Sequence, residues 1–145
     1  MLSPAKRRFH IMMLEEQLRP RMYLRRAGAY SVRRGTRDAL VTLNYTVGLL
    51  EYPENMVVIY PQGKFQSVYQ HPVTFEKGIE AIVIRIKKEV GVIFYAALVD
   101  YFSGRKPALT IYLKEVPFEL ASSSSRLASA YNVFLKECYH QQKPE

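Results

Sequence analysis

The sequence predicts an α/β fold, a layered and mostly parallel sheet flanked by helices. Three observations predict it. Two continuous apolar runs, residues 56–60 and 92–99, are bounded by turn residues, the pattern of strands covered on both faces. Stretches with apolar residues at helical spacing lie around them. The elements alternate as helix, strand, helix, strand, helix, strand, strand, helix, an order that requires crossover connections.

Each element has its own justification. Residues 11–18 read as a short helix stopped by Pro20. Residues 22–32 read as extended, with Tyr23, Leu24, Ala29, Tyr30 and Val32 as strand material and Gly28 as a bend. Thr36 is placed to cap a helix in which Leu40, Leu43, Val47 and Leu50 share one face. Pro53-Glu54-Asn55 is a turn into the strand 56–60, and a polar loop follows over residues 61–73. Thr74 is expected to cap a helix with the stripe Phe75, Ile79, Ile82, Val83 and Ile86. Ser103 to Pro107 turn the strand 92–99 into a strand at 109–113. Ser122–Ser125 precede a last helix with Leu127, Tyr131, Phe134, Leu135 and Cys138 on one face.

A chain of 145 residues suits a single domain over residues 1–145, with flexible ends at 1–8 and 141–145. One cysteine excludes an intrachain disulfide and any multi-cysteine metal site, and Cys138 reads as a buried, inert thiol; no metal is expected. No apolar stretch approaches the roughly 20 residues that span a bilayer. Residues 1–38 hold ten Lys/Arg against three acids, +7 of the chain's +8. Such a one-sided basic surface suits an anionic partner or simply a solvated face. Nucleic acid is not the expected partner, because no RNA-recognition, KH or helix-turn-helix pattern is present.

The chemistry-bearing stretch is Tyr60-Pro61-Gln62-Gly63-Lys64. A strand end runs into a Pro-x-Gly turn that lets backbone N–H groups converge, with a lysine beside them, an arrangement suited to phosphate or to an ordinary turn. It is not a Walker loop, since the upstream glycine and the Ser/Thr after Lys64 are missing. His10 and Glu15 form a His-x4-Glu pair that would stand about one helical turn apart if residues 11–18 are helical. His71, in the loop after the turn, reads as a solvated side chain more readily than a ligand.

Three stretches in order, Gly28 to Arg34, Tyr60 to Gly63, and Lys77-Gly78, resemble the lysophospholipid acyltransferase family, which includes the 1-acylglycerol-3-phosphate acyltransferases. Arg34 falls on the arginine of the family's second block, and Arg33 replaces its aspartate. Gln62 stands for the usual glutamate, and Lys64 and Phe65 for threonine and arginine. The resemblance covers residues 10–115. It implies the family's glycerol-3-phosphate acyltransferase-like fold and transfer of a fatty acyl group from acyl-CoA or acyl-carrier protein to the hydroxyl of a lysophospholipid or related glycerol phosphate, with no cofactor beyond the acyl thioester.

The same resemblance makes Arg34, Tyr60, Pro61, Gln62, Gly63 and Lys64 the acceptor-phosphate site. The family's base lies in an Asn-His-x4-Asp block. Phe9 replaces the asparagine before His10, and residues 9–18 match sequence that follows that block in family members. The chain is therefore expected to be N-terminally truncated, with the block upstream of Met1, and His10 with Glu15 is the substitute pair. The alternative is a non-catalytic anionic-lipid or phosphate-binding module of the same fold. Expected partners are an acyl thioester, a lysophospholipid-type acceptor and a peripheral membrane surface. The expected location is cytoplasmic, peripheral at the inner face of the membrane. A sheet lacking its first strands would also associate with a second copy through an exposed edge.

Overall fold

A computed structural model of the chain describes residues 7–33, 35, 37–64, 66–67 and 69–142. The fold is mixed α/β with a three-stranded parallel sheet and helices. Strand β1 (Arg8–Leu14) leads into a one-turn helix α1 (Glu15–Leu18) and a 3-10 stretch (Arg19–Ala27). Strand β2 (Ala29–Val32), helix α2 (Arg37–Leu50) and strand β3 (Asn55–Ile59) follow. Helix α3 (Gly78–Val83), strands β4 (Val92–Asp100) and β5 (Ala108–Val116), a 3-10 turn (Phe118–Ser122) and helix α4 (Ser124–Gln141) complete the chain.

The helix expected over residues 11–18 is a correction. Most of that segment is β1, the central strand of the order β2-β1-β3. Parallel pairing on both sides satisfies its backbone: Ile11 to Leu14 face Ala29 to Val32, and Arg8 to Met12 face Asn55 to Ile59. Only residues 15–18 turn helical, and Pro20 sits at the start of the 3-10 stretch, where a missing N–H costs nothing. The extended segment expected from residue 22 therefore shrinks to Ala29–Val32. Thr36 lies outside the described residues. Thr74 caps nothing, because α3 begins at Gly78 with no side-chain cap. Arg8 opens β1 and Gln141 closes α4, so both lie inside regular elements.

Two apolar clusters hold the molecule. Helix α2 covers one face of the parallel sheet, where Leu43 and Thr46 are buried and Tyr30 Oη lies 2.7 Å from Thr46 Oγ1. The second cluster joins the β4–β5 hairpin to α4 through Phe94, Ala96, Leu98, Leu127, Phe134, Leu135 and Cys138, with Val73 from the long loop. Cys138 is buried as expected, and desolvation pushes its thiol pKa up. Among the described residues strands β4 and β5 pair only with each other, antiparallel, and form a separate two-stranded sheet.

Candidate functional site

Parallel register brings three strand ends to one edge. Leu14 pairs with Val32 and Met12 with Ile59, so Glu15, Arg33 and the turn after β3 leave the sheet at its carboxyl edge. In open α/β sheets that edge is where ligands bind.

Glu15 is the hub of the edge. Arg33 donates to it through Nε, and through Nη2 to Oε1 at 2.8 Å, a two-pronged guanidinium–carboxylate pair. Arg33 Nη1 also donates to Asp38 Oδ2 at 3.4 Å, and Arg19 Nη2 lies 3.7 Å from Glu15 Oε1. The Arg33 hydrogen bond, reinforced by the charges of Arg33, Arg19 and Arg25, holds the Glu15 carboxyl below its ordinary pKa. The same pairing raises the Arg33 guanidinium. Glu15, Leu18, Arg19, Met22 and Arg25 line an open depression of about 170 Å³. That is phosphate-sized and well short of the roughly 300–1,000 Å³ of a drug-sized ligand pocket. Three arginines against the carboxylates of Glu15 and Asp38 leave this corner positive by one charge.

The second half of the site is the loop after β3. Gly63 adopts φ +63, and its N–H donates to Tyr60 O at 3.1 Å, closing the Pro61-Gln62 turn in a conformation that glycine adopts freely. Pro61 O then accepts the Glu76 N–H at 2.7 Å. This bond pins the two ends of the loop together, so the Tyr60–Lys64 turn lies beside Glu76, the residue that precedes Lys77-Gly78. Tyr60 and Lys64 are exposed, and Pro61, Gln62 and Gly63 are half-buried. Gln66 Oε1 is buried without a hydrogen-bond partner among the described residues.

The structure does not bring His10 and Glu15 together. His10 lies in β1 level with Val57, and its Nε2 is 3.4 Å from Asn55 Oδ1. Asn55 Nδ2 is in turn anchored to Leu49 O at 2.8 Å. His10 and Glu15 are five positions apart, roughly 16 Å along an extended strand at ~3.3 Å per residue. The one-turn spacing expected of a helix is thus corrected to opposite ends of a strand. His71 is exposed, with its ring edge-on to Tyr139 at 5.2 Å. Arg34 and Phe65 lie outside the described residues.

Sequence reasoning treated Arg33 only as a substitution and did not single out Arg19, Arg25 or Glu76. Arg33 and Glu15 are 18 residues apart, and only parallel register makes them neighbours. Among the described residues no cluster of three or more His, Cys, Asp or Glu could hold a metal. No described helix is long and apolar enough to cross a membrane. No protein-family model, curated protein or solved structure matches the chain.

Proposed function

We propose that the chain is an acyltransferase-type domain whose carboxyl sheet edge receives the phosphate of a glycerol-phosphate acceptor. The acyl group would come from acyl-CoA or acyl-carrier protein. The acceptor would be a lysophospholipid or a related glycerol phosphate. The observation that carries this reading is the Pro61 O to Glu76 N–H bond, which gathers the Tyr60–Lys64 turn and Lys77 at one strand end. These are the stretches on which the family resemblance rests. Lys64, Lys77 and the Arg19–Arg25–Arg33 corner supply cationic groups at that edge, and Gln62 supplies an amide in place of a carboxylate. The finer fold assignment, a glycerol-3-phosphate acyltransferase-like arrangement built on the parallel sheet, belongs to the same proposal.

One observation favours a second reading, a phosphate- or anionic-lipid-binding module without turnover. His10, the first candidate for a base, is engaged by Asn55 toward the far end of its strand, and Glu15, its expected partner, is engaged by Arg33. A base needs a carboxylate or an acceptor hydroxyl within reach.

Calorimetric titration with lysophosphatidic acid, paired with thiol release from acyl-CoA, separates the readings. Acceptor-dependent thiol release, with KM raised by Lys64→Ala and kcat nearly kept, supports the acyltransferase. Saturable binding weakened by Lys64→Ala and by salt, without thiol release, supports the binding module. Absence of both binding and release overturns both.

A further inference from the structure

The β4–β5 hairpin is apolar on both faces. Phe94, Ala96 and Leu98 point into the cluster under α4. The opposite face carries Ile93, Tyr95, Ala97 and Val99 from β4 with Leu109, Ile111 and Leu113 from β5, in the pairs Tyr95–Leu113, Ala97–Ile111 and Val99–Leu109. Six of these seven, all but Ala97, are 46–66% exposed. At on the order of 100 Å² each they form a continuous patch of roughly 600 Å², at the top of the range for the largest patch on an ordinary monomer. Glu115, opposite Ile93 at one end, is the one charged residue in the paired rows of that face.

We propose that this face is an interface between two copies of the chain, ribbon stacked on ribbon about a two-fold axis. Two such patches bury about 1,200 Å² or more in total, the threshold of a standard specific interface. Removal of charge from the centre with retention at the rim is the composition of interface cores. Ala97 leaves a hollow in the middle of the face beside the projecting Ile111, the small-beside-large relief that lets two sheet faces interdigitate at about 10 Å. A two-fold contact uses the same surface on both copies, so no other partner surface is required.

A lipid surface is the competing occupant, and the hairpin's edges argue against it. Among the described residues each strand of this two-stranded sheet has one ladder partner, and its outer edge has no neighbouring strand. Sinking the face into hydrocarbon would strip water from those edges, which bilayers do not tolerate. Face-to-face stacking leaves both edges wet. In this proposal the contact runs through a face, whereas the association expected from the sequence runs through a strand edge.

Sedimentation equilibrium on the full chain tests the proposal. The chain should run at twice its monomer mass at micromolar concentration. Ile111→Lys should weaken association by at least ~100-fold, since a charge would be buried without a partner. Val133→Lys, at an exposed apolar position on α4, should leave it unchanged. Leu113→Glu repeats the test should Ile111→Lys lose its far-UV circular dichroism. A wild-type monomer at ~100 μM overturns the proposal, because a specific dimer of this size should be formed there. Folded variants that remain dimeric overturn it too. So does a monomer that floats with anionic phosphatidylglycerol vesicles and loses flotation in Ile111→Lys.

Discussion

Asn132 holds Val73 as a neighbouring strand would: its Oδ1 accepts the Val73 N–H at 2.8 Å and its Nδ2 donates to Val73 O at 2.8 Å. Nδ2 also donates to Ala128 O at 2.8 Å, which fixes the amide on α4. Val73 is buried. One side chain therefore satisfies both backbone groups of the residue where the long loop after β3 enters the core.

Asn132→Leu keeps the γ-branched heavy-atom skeleton and removes both bonds. It leaves a buried N–H and C=O unpaired, at about 1–3 kcal/mol for an unsatisfied group. Urea denaturation should show that loss in the midpoint with an unchanged slope. Because the same loop carries Gln62 and Lys64, acceptor binding should weaken in parallel. An unchanged midpoint would show that water replaces the amide.

Gly28 ends the 3-10 stretch in the left-handed region, φ +90, and lies against β1. A Cβ there would sit 2.1 Å from Phe9 O, a backbone atom of the central strand. Gly28 O meanwhile accepts the Ile11 N–H at 3.1 Å, so the residue cannot retreat without breaking the ladder. Gly28→Ala adds about 1–3 kcal/mol of backbone strain and a clash on top of it. Its thermal midpoint should fall further than that of Gly48→Ala, where a Cβ meets nothing within 4 Å. Equal midpoints would mean that β1 shifts at little cost.

The contrast between Gly28 and β1 shows how far the sequence could be read. A glycine between apolar stretches marks a bend from the sequence alone. The strands at 56–60 and 92–99 were legible because turns bracket continuous apolar runs. Residues 8–14 were not, since Ile11, Leu14 and Leu18 also fall at helical spacing and short apolar runs do not distinguish helix from strand. Pairing on both sides with β2 and β3 decided the matter, and that is a long-range effect. The Tyr60–Lys64 turn was legible through Pro61 and Gly63, whose backbone preferences are local. The Glu15–Arg33 pair was not, because it exists only through the register of β1 and β2. Thr74 failed as a cap for a similar reason: the chain after it is tied back to Pro61 through Glu76.

Glu80 on α3 accepts the Ser124 N–H at 2.5 Å, and Ser124 Oγ donates to Glu76 O at 3.1 Å. A carboxylate from another helix thus joins the Ser123 side chain in capping α4, where the helix dipole favours negative charge. The bond from Ser124 N–H lowers the Glu80 pKa. A lowered carboxylate contributes stability above its unfolded pKa and loses it as pH falls through the folded one. Glu80→Gln should therefore lower the thermal midpoint at pH 7. The difference from wild type should narrow as pH drops below about 4.5. A gap that stays constant with pH would assign the effect to shape and not to charge.

Burial pushes the pKa of both Tyr30 and Tyr131 up to about 12. Tyr30 rests on Thr46, itself fully buried in α2, and Tyr131 donates through its hydroxyl to Tyr95 O at 2.9 Å. An acid whose folded pKa is raised stabilises the fold fully below its unfolded pKa, near 10 for tyrosine, and loses that contribution as pH rises toward the folded value. Between pH 10 and 12 unfolding should release up to one additional proton from each of these two tyrosines, beside those from Cys138 and Tyr139, whose pKa values burial also raises. Tyr30 and Tyr131 together should then lower stability by as much as about 2.7 kcal/mol per pH unit at the steepest point. Tyr30→Phe should cost about 0.5–1.5 kcal/mol at neutral pH for the lost Thr46 contact, and it should make the alkaline slope shallower by up to about 1.4 kcal/mol per pH unit. Because Tyr30 ties β2 to α2 while Tyr131 lies under the hairpin, Tyr131→Phe should remove a similar increment independently. Urea midpoints at pH 8, 10 and 11 measure both. An alkaline slope identical in Tyr30→Phe and wild type would mean that Tyr30 ionises in the folded protein as readily as in the unfolded chain.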